Sequence, residues 1–264
     1  MYQNIYFDNR KQKMHLWDDK TGYHVIPFKK YAYVKNSNGH HVSLDGKRVK
    51  KVFKWDKDDP QLYESDVPQT TRFLVDQYTD SDEPSTGHTT MFFDIEVEVT
   101  DGFPDVMEAK NTITSIAFWD SIEQVYYCYV YDKEKRIKNY TKDKQVVEFY
   151  DTEYDMLNKF FQKYMEIRPT IMSGWNSEFF DIPYLYNRAV RVLGVSVANL
   201  LSPISEVYYN EFKKRYVIAG LTCFDYLPLY KKFSFSQQSS YRLDYIGEVE
   251  VGMKKVDYEG TLND

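Results

Sequence analysis

Met91-Phe92-Phe93-Asp94-Ile95-Glu96-Val97-Glu98-Val99 is the stretch whose reading decides the fold. A strand sends residues i and i+2 to the same face, with Cα atoms roughly 6.5–7 Å apart. Phe93, Ile95, Val97 and Val99 then share one apolar face, and Asp94 and Glu96 stand together on the other. Neighbouring carboxylates repel and raise each other's pKa, and a divalent cation between them reverses that penalty. An Asp-x-Glu pair on the polar face of a surface strand would need no such explanation. Phe92 and Phe93 beside the pair argue for a buried strand instead, and a second acidic site follows downstream.

Working outward, residues 112–119 and 125–131 read as two further strands, and the short Asp120-Ser121 link predicts an antiparallel hairpin. Residues 133–144 read as a charged, solvent-facing loop, and residues 146–150 as a short strand. Met156, Leu157, Phe160, Phe161 and Tyr164 recur at helical spacing, which predicts a helix over residues 153–167 that ends at Pro169. A short strand over residues 170–174 follows. Asp181 is placed to cap a second helix, with Pro183 in its first turn and Gly194 past its end. Strand, hairpin, helix, strand and helix in that order predict an α/β (α+β) domain, a mixed sheet with helices packed on it.

Upstream the pattern differs. Residues 1–78 read as short strands and turns, with strand-like runs at 23–28 and 31–34 and a turn at Asn36-Ser37-Asn38-Gly39. Lys47, Arg48, Lys50, Lys51 and Lys54 surround Val49, Val52 and Phe53; this is either the solvated face of a helix or edge strand, or a phosphate-facing patch. Residues 79–90 are polar without a hydrophobic period and read as a linker, so the expected division is a small β-rich domain over residues 1–85 and an α/β domain over residues 86–264.

Composition bounds the function. At 264 residues, with 42% hydrophobic and 28% charged, the chain can bury a core. No apolar run reaches the ~18 residues of a membrane span, and the first residues lack the basic start and apolar stretch of a signal peptide, so no membrane partner is expected. Cys128 and Cys223 are the only cysteines, which excludes a disulfide framework and a cysteine-rich zinc site and fits a reducing cytoplasm. Net charge is −6, yet residues 1–60 hold 13 Lys and Arg against 7 Asp and Glu, so the acidic excess lies downstream. Such a field disfavours bulk, sequence-blind nucleic-acid binding. It does not disfavour a metal-dependent nuclease, whose clustered carboxylates are offset by bound cations. The 25 tyrosines suit half-buried strand positions, and some could serve as stacking surfaces for bases.

The second acidic site is Gly174-Trp175-Asn176-Ser177-Glu178-Phe179-Phe180-Asp181, running from a strand end through a loop to a helix start. α/β sheets place ligands at such loops. Asn176 offers a donor and an acceptor. Asp181 reads as an N-cap, a role compatible with metal binding because a carboxylate has two oxygens.

Phe93-Asp94-Ile95-Glu96, Asp101-Gly102-Phe103-Pro104 and Ser173-Gly174-Trp175-Asn176 through Phe180-Asp181-Ile182-Pro183-Tyr184 resemble exonuclease motifs I and II of family B DNA polymerases. Phe224-Asp225-Tyr226, Leu229 to Phe235 and Tyr241 to Ile246 look like the same region of the polymerases of T-even-like bacteriophages, and Tyr63 to Val67 with Thr71 to Leu74 is similar to the end of the family's N-terminal domain. The resemblance implies a ribonuclease H-like 3′→5′ proofreading exonuclease domain behind a small β-rich N-terminal domain. It implies two divalent ions, Mg²⁺ or Mn²⁺, acting on the 3′ end of single-stranded DNA. Asp94 matches the shared ligand, Glu96 a ligand and orienter of water, and Asp181 a ligand of the second metal. Asn176 matches a residue near the substrate phosphate or sugar, and Phe103 an aromatic that stacks on or wedges the frayed strand end; a plain turn aromatic is the other reading of Phe103. Residues 208–217, with Lys213, Lys214 and Arg215, fall where the family carries a β-hairpin that parts primer from template. The resemblance further implies the palm, fingers and thumb of a polymerase as partners, template strand or RNA at the N-terminal domain, and the cytoplasm of an infected bacterial host.

One element of the family pattern is not met. Motif III, a Tyr-x-x-x-Asp on a helix, has no match: Tyr258 to Asp264 has the wrong spacing, and Tyr78-Thr79-Asp80-Ser81-Asp82 precedes motif I. This reads as a truncated chain or one piece of a split polymerase, with weak or no exonuclease activity by itself. A non-catalytic nucleic-acid-binding module of the same ancestry is the alternative. A nuclease using a histidine in place of the motif III tyrosine is disfavoured, because His15, His24, His40, His41 and His88 all precede motif I.

Overall fold

Alternating apolar residues build the first of two units, Met1–Gly87. Strands β1 (Tyr2–Asp8), β2 (Lys13–Asp18) and β3 (Gly22–Pro27) form an antiparallel sheet. A second sheet has the order β5-β6-β4-β7, from β4 (Ala32–Lys35), β5 (His41–Val42), β6 (Arg48–Val52) and β7 (Leu62–Tyr63). The basic stretch is therefore an inner strand rather than a helix or an edge, with Val49 buried and Arg48 and Lys50 exposed. Residues 69–78, expected among strands and turns, form a helix, α1 (Gln69–Tyr78). Its Phe73 packs with Met14 and Leu16 to make the unit's core, with Leu74 and Tyr78 alongside. The polar segment that follows is anchored: Lys20 pairs with Glu83 at 2.9 Å, and the Thr86 N–H donates to Asp19 at 2.9 Å.

This computed structural model describes all residues except 57, 101, 135–137, 255 and 257–264. Asp101, part of the charged stretch at 133–144, and the tail from Tyr258 onward thus lie outside the described residues.

The second unit begins at His88. Its sheet runs β11-β12-β10-β9-β8-β13-β16. These strands are β8 (Thr90–Val97), β9 (Ile113–Asp120), β10 (Val125–Tyr131), β11 (Tyr140–Lys142), β12 (Gln145–Tyr150), β13 (Ile171–Ser173) and β16 (Thr222–Cys223). β8, β9 and β10 are antiparallel neighbours, and β12 and β13 pair in parallel with β10 and β8. The sheet is mixed, as the order of elements predicts. Part of the stretch expected to be a charged loop is instead β11, which pairs antiparallel with β12 at the sheet edge; its three residues are all exposed, so burial leaves no apolar pattern to read.

Helix α2 (Glu153–Ile167) is N-capped by Thr152, whose side chain accepts from the Asp155 N–H, and it ends at Arg168 in the left-handed conformation. Helix α3 (Asp181–Leu193) ends at Gly194. A short helix α4 (Val195–Ala198) and a hairpin of β14 (Val207–Asn210) and β15 (Arg215–Ile218) follow, then α5 (Tyr226–Phe233) and α6 (Leu243–Val251). Phe93, Ile95 and Val97 of β8 meet Phe160 and Phe161 of α2 and Ile182 and Leu185 of α3 in one core.

An ion pair ties α2 to α3 and to the chain between β8 and β9. Arg188 donates to Glu153 through Nε (2.8 Å) and Nη2 (2.6 Å), and through Nη1 to the carbonyls of Ala109 (3.2 Å) and Lys110 (2.6 Å). Glu153 also accepts from the Ile113 N–H at 2.8 Å. Removing one partner of a mostly buried pair strands the other. Arg188→Ala is therefore expected to lower the unfolding free energy by about 3 kcal/mol in a urea titration, and Lys110→Ala, whose pair with Glu108 is exposed, by less than about 1 kcal/mol.

Candidate active site

β13 ends at Ser173, opposite Phe92, so β8 runs on beyond its neighbour. The chain leaves the sheet at Gly174 against the backbone of β8: a Cβ there would lie 2.6 Å from the Phe93 carbonyl oxygen and 2.9 Å from the Ser177 Cβ. It then turns through Asn176, which has a left-handed φ of 65°. Asp225, the N-cap of α5, clamps this loop by accepting from the N–H groups of Asn176 (2.9 Å), Glu178 (3.2 Å) and Leu227 (2.9 Å). The Asn176 carbonyl accepts from Phe179 and Phe180, and the Ser177 carbonyl from Ile182 at 2.9 Å, which starts α3.

Asp181 is the first residue of α3, not its cap. The cap position is Phe180, and no side chain bonds the helix end there. The Asp181 carboxylate turns instead to the edge of β8 that β13 leaves, where Oδ1 accepts the Ile95 N–H at 3.2 Å. The residue is only 4% exposed. Burial first, and then the negative charge of Asp94, push its pKa up to about 7 against the Ile95 N–H, which favours the ionised form.

Along β8 the alternation is as the sequence implies: Met91, Phe93, Ile95 and Val97 are buried, and Asp94 is exposed with Glu96 half-buried on the same side. Phe92 corrects one expectation, for it shares the exposed face with Asp94 rather than marking a strand buried on both sides. Asp94 also lines an open groove of about 490 Å³ with Trp175, Arg242, Leu243, Asp244, Gly247 and other residues of the α6 region. Trp175 is held there by donating Nε1–H to the Tyr241 carbonyl at 3.0 Å.

Among the described residues no three carboxylate, imidazole or thiol side chains cluster tightly enough to hold a metal ion. Asp94 and Asp181 are electrostatically coupled, and Glu96 stands one strand repeat further along. The donor set is nonetheless all oxygen, the chemistry that suits a hard divalent cation.

Phe103 is 83% exposed, and its ring lies 5.3 Å from that of Phe180 at the start of α3. Lys213 and Lys214 are exposed in the turn of the β14–β15 hairpin, with Lys214 pairing locally with Glu211 at 3.4 Å. Arg215 forms an ion pair with Glu178 in the loop before α3. Sequence reasoning gave Asp225 no role. Its signal was available as an N-cap pattern, Asp225-Tyr226-Leu227-Pro228, ahead of a helix.

Residues 77–246 match the family model for the exonuclease domain of family B DNA polymerases. The chain belongs to this family. It is 36% identical over 200 residues to the DNA-directed DNA polymerase of Escherichia phage RB69, covering 65% of this chain and 22% of that protein. To the DNA-directed DNA polymerase of Enterobacteria phage T4 it is 32% identical over 196 residues, covering 64% and 22%. To DNA polymerase 1 of Saccharolobus solfataricus it is 27% identical over 264 residues, covering 90% and 26%. The chain spans about a fifth to a quarter of the length of these relatives. Family B exonuclease domains are generally dependent on divalent metal. Among the described residues no helix is long and apolar enough to cross a membrane.

The raised pKa fixes the sign of a pH effect. Asp ionises near 3.8 in an unfolded chain and Asp181 near about 7 in the fold, so between these values only the folded state holds the proton. The stabilisation is complete below the lower value and lost as pH rises through the upper one. In EDTA, thermal melts from pH 5 to 8 are expected to fall for the wild type. They should be flatter for Asp181→Asn, which should be the more stable protein at pH 8.

Proposed function

We propose that Asp94, Glu96 and Asp181 hold divalent cations, Mg²⁺ or Mn²⁺, and that the chain hydrolyses the terminal phosphodiester at the 3′ end of single-stranded DNA. The observation that carries this reading is the buried Asp181 carboxyl, held on the edge of β8 beside Asp94. Bound metal would supply an activated water and stabilise the leaving 3′ oxygen. The protein's own residues orient the strand. Asn176, its backbone fixed by Asp225, presents its amide to the terminal phosphate or sugar. Phe103 offers an exposed ring to the last base, and Lys213 and Lys214 meet the backbone. Arg215 acts indirectly, by tying the hairpin to the loop through Glu178.

We further assign the division of the chain near residues 85–88 to an N-terminal domain followed by the exonuclease domain. The remainder of a phage-type replicative polymerase is the partner, and the cytoplasm of an infected bacterium is the setting. A second reading, a non-catalytic strand-binding module, is favoured by the lack of a three-ligand cluster among the described residues.

A 5′-labelled single-stranded oligonucleotide incubated with Mg²⁺ or Mn²⁺ separates the two. Slow shortening from the 3′ end is expected, falling about 10²-fold in Asp94→Ala as charge stabilisation of the transition state is lost, and stopping in EDTA. Binding that is unchanged in Asp94→Ala, with no shortening in either metal, would establish the binding module instead.

A further inference from the structure

Two arginines that flank the candidate site are spent on glutamates, Arg188 on Glu153 and Arg215 on Glu178. Arg242 is the contrast, for its backbone is held and its side chain is not. It stands at the N-cap position of α6. Its N–H donates to Ser240 Oγ at 3.3 Å, and its carbonyl accepts the Ile246 N–H at 3.0 Å. The residue before it is fixed as well. The Tyr241 carbonyl accepts the Trp175 indole N–H at 3.0 Å. The Tyr241 ring lies 4.6 Å from the Lys231 ammonium and 6.4 Å from the ring of Tyr230. Trp175 precedes Asn176 in the loop that leads to Asp181, so the entry to α6 is tied to the loop that shapes the acids. Among the described residues no side chain engages the Arg242 guanidinium, and the residue is exposed.

That guanidinium lines the groove of about 490 Å³ that Asp94 also lines. The other cation there among the described residues, Lys254, pairs with Glu248 at 3.0 Å. Arg242 shares the groove with Asp94 without closing on the buried acid, for no Lys or Arg is among the leading influences on Asp181. A nucleic-acid strand laid in this groove is a polyanion beside carboxylates. Bound cations offset the charge at the phosphate being cleaved, and the phosphate next to it needs a cation from the protein. A strand ending in a 3′ hydroxyl has that next phosphate on its 5′ side only. A guanidinium suits the task, because it stays charged at any working pH and its planar fork of N–H donors meets two phosphate oxygens at once.

We propose that Arg242 grips the phosphate adjoining the scissile one, on its 5′ side, and so sets where the 3′ end stops against the acids. The assignment rests on the exonuclease reading for the order of the phosphates. It adds a contact from α6 that is separate from Asn176, Phe103 and the hairpin lysines.

Binding of 5′-labelled pentathymidylate to the full chain tests it, followed by fluorescence anisotropy with Ca²⁺ as the oxygen-seeking cation in place of Mg²⁺. The strand is used unmodified, with an uncharged methylphosphonate at the second linkage from the 3′ end, and with one at the 5′-most linkage. In the wild type the neutral second linkage is expected to weaken binding about tenfold, the size of one charge-assisted contact, and the neutral 5′ linkage far less. Arg242→Ala should lose about the same tenfold on the unmodified strand and nothing more when the second linkage is neutral, because both changes remove one contact. Arg242→Lys should recover part of the loss. The slope of log affinity against log salt should shrink by about 0.7 in Arg242→Ala. Arg242 is a surface position, so an unchanged melting temperature in Arg242→Ala sets lost contact apart from lost folding. No binding of the unmodified strand, equal losses from the two neutral linkages, or a loss in Arg242→Ala that adds in full to that of the neutral second linkage would overturn the proposal. Incubating the same strand in Mg²⁺ or Mn²⁺ separates it from the reading it rests on. Shortening without coupling between Arg242 and the second linkage overturns the phosphate contact alone, whereas coupling without shortening upholds the contact and overturns the exonuclease reading.

Discussion

The candidate site rests on a mismatch in strand length. β13 stops at Ser173 while β8 continues to Val97, and the edge that β13 leaves needs a partner because buried backbone donors are rarely left unbonded. Gly174 allows the chain to cross against the Phe93 carbonyl, where a Cβ would sit at 2.6 Å. Asn176 reverses it, and Asp225 holds the loop so that α3 starts back at the β8 edge. Asp181 then completes the Ile95 N–H in place of a strand. A backbone need thus carries a carboxylate to Asp94, and the chemistry of the site follows from that placement.

The arrangement carries an electrostatic cost. A carboxyl that is both buried and beside a second carboxylate can be relieved by a proton or by a cation, and the leading influences on Asp181 include no Lys or Arg. The N-terminal turn of α3 offers partial compensation through its N–H groups. A proton suffices below neutrality. Above it the carboxylate is charged in a buried place, which is the chemistry that the proposed divalent cation would relieve.

Much of this was legible in the sequence where burial and period coincide. Met156, Leu157, Phe160, Phe161 and Tyr164 mark α2 from Glu153 to Ile167, and the alternation from Met91 to Val97 marks β8, because each packs one face on the core. The misses lie where that coupling fails. α1 places Thr70, Thr71 and Val75, residues at home in strands, in a helix that Phe73 fastens to the sheet. β11 has no buried face at all. Asp181 looked like a cap because Asp before a helix usually is one, and only the tertiary placement of β8 shows the competing donor. The Arg215–Glu178 pair has no local signal, because its partners are 37 residues apart in sequence.

α3 also organises what surrounds the acids. The chain from Gly102 to Asn111 is fastened to it: Asn187 donates to the Val106 carbonyl at 2.8 Å, Arg188 to those of Ala109 and Lys110, and the Tyr184 hydroxyl to that of Asn111 at 2.8 Å. Phe103 in turn lies on Phe180. On its other side the β14–β15 hairpin is fastened to the same helix, through Tyr216 to Asn187 at 2.7 Å and, one loop earlier, through Arg215 to Glu178. The aromatic ring, the basic hairpin and the buried acid therefore share one rigid element instead of three independent loops. Preorganisation of this kind is what lets binding at one group position a strand at another. It also explains why the helix spends so many polar side chains, Tyr184, Asn187 and Arg188 among them, on carbonyls and side chains outside itself rather than on solvent.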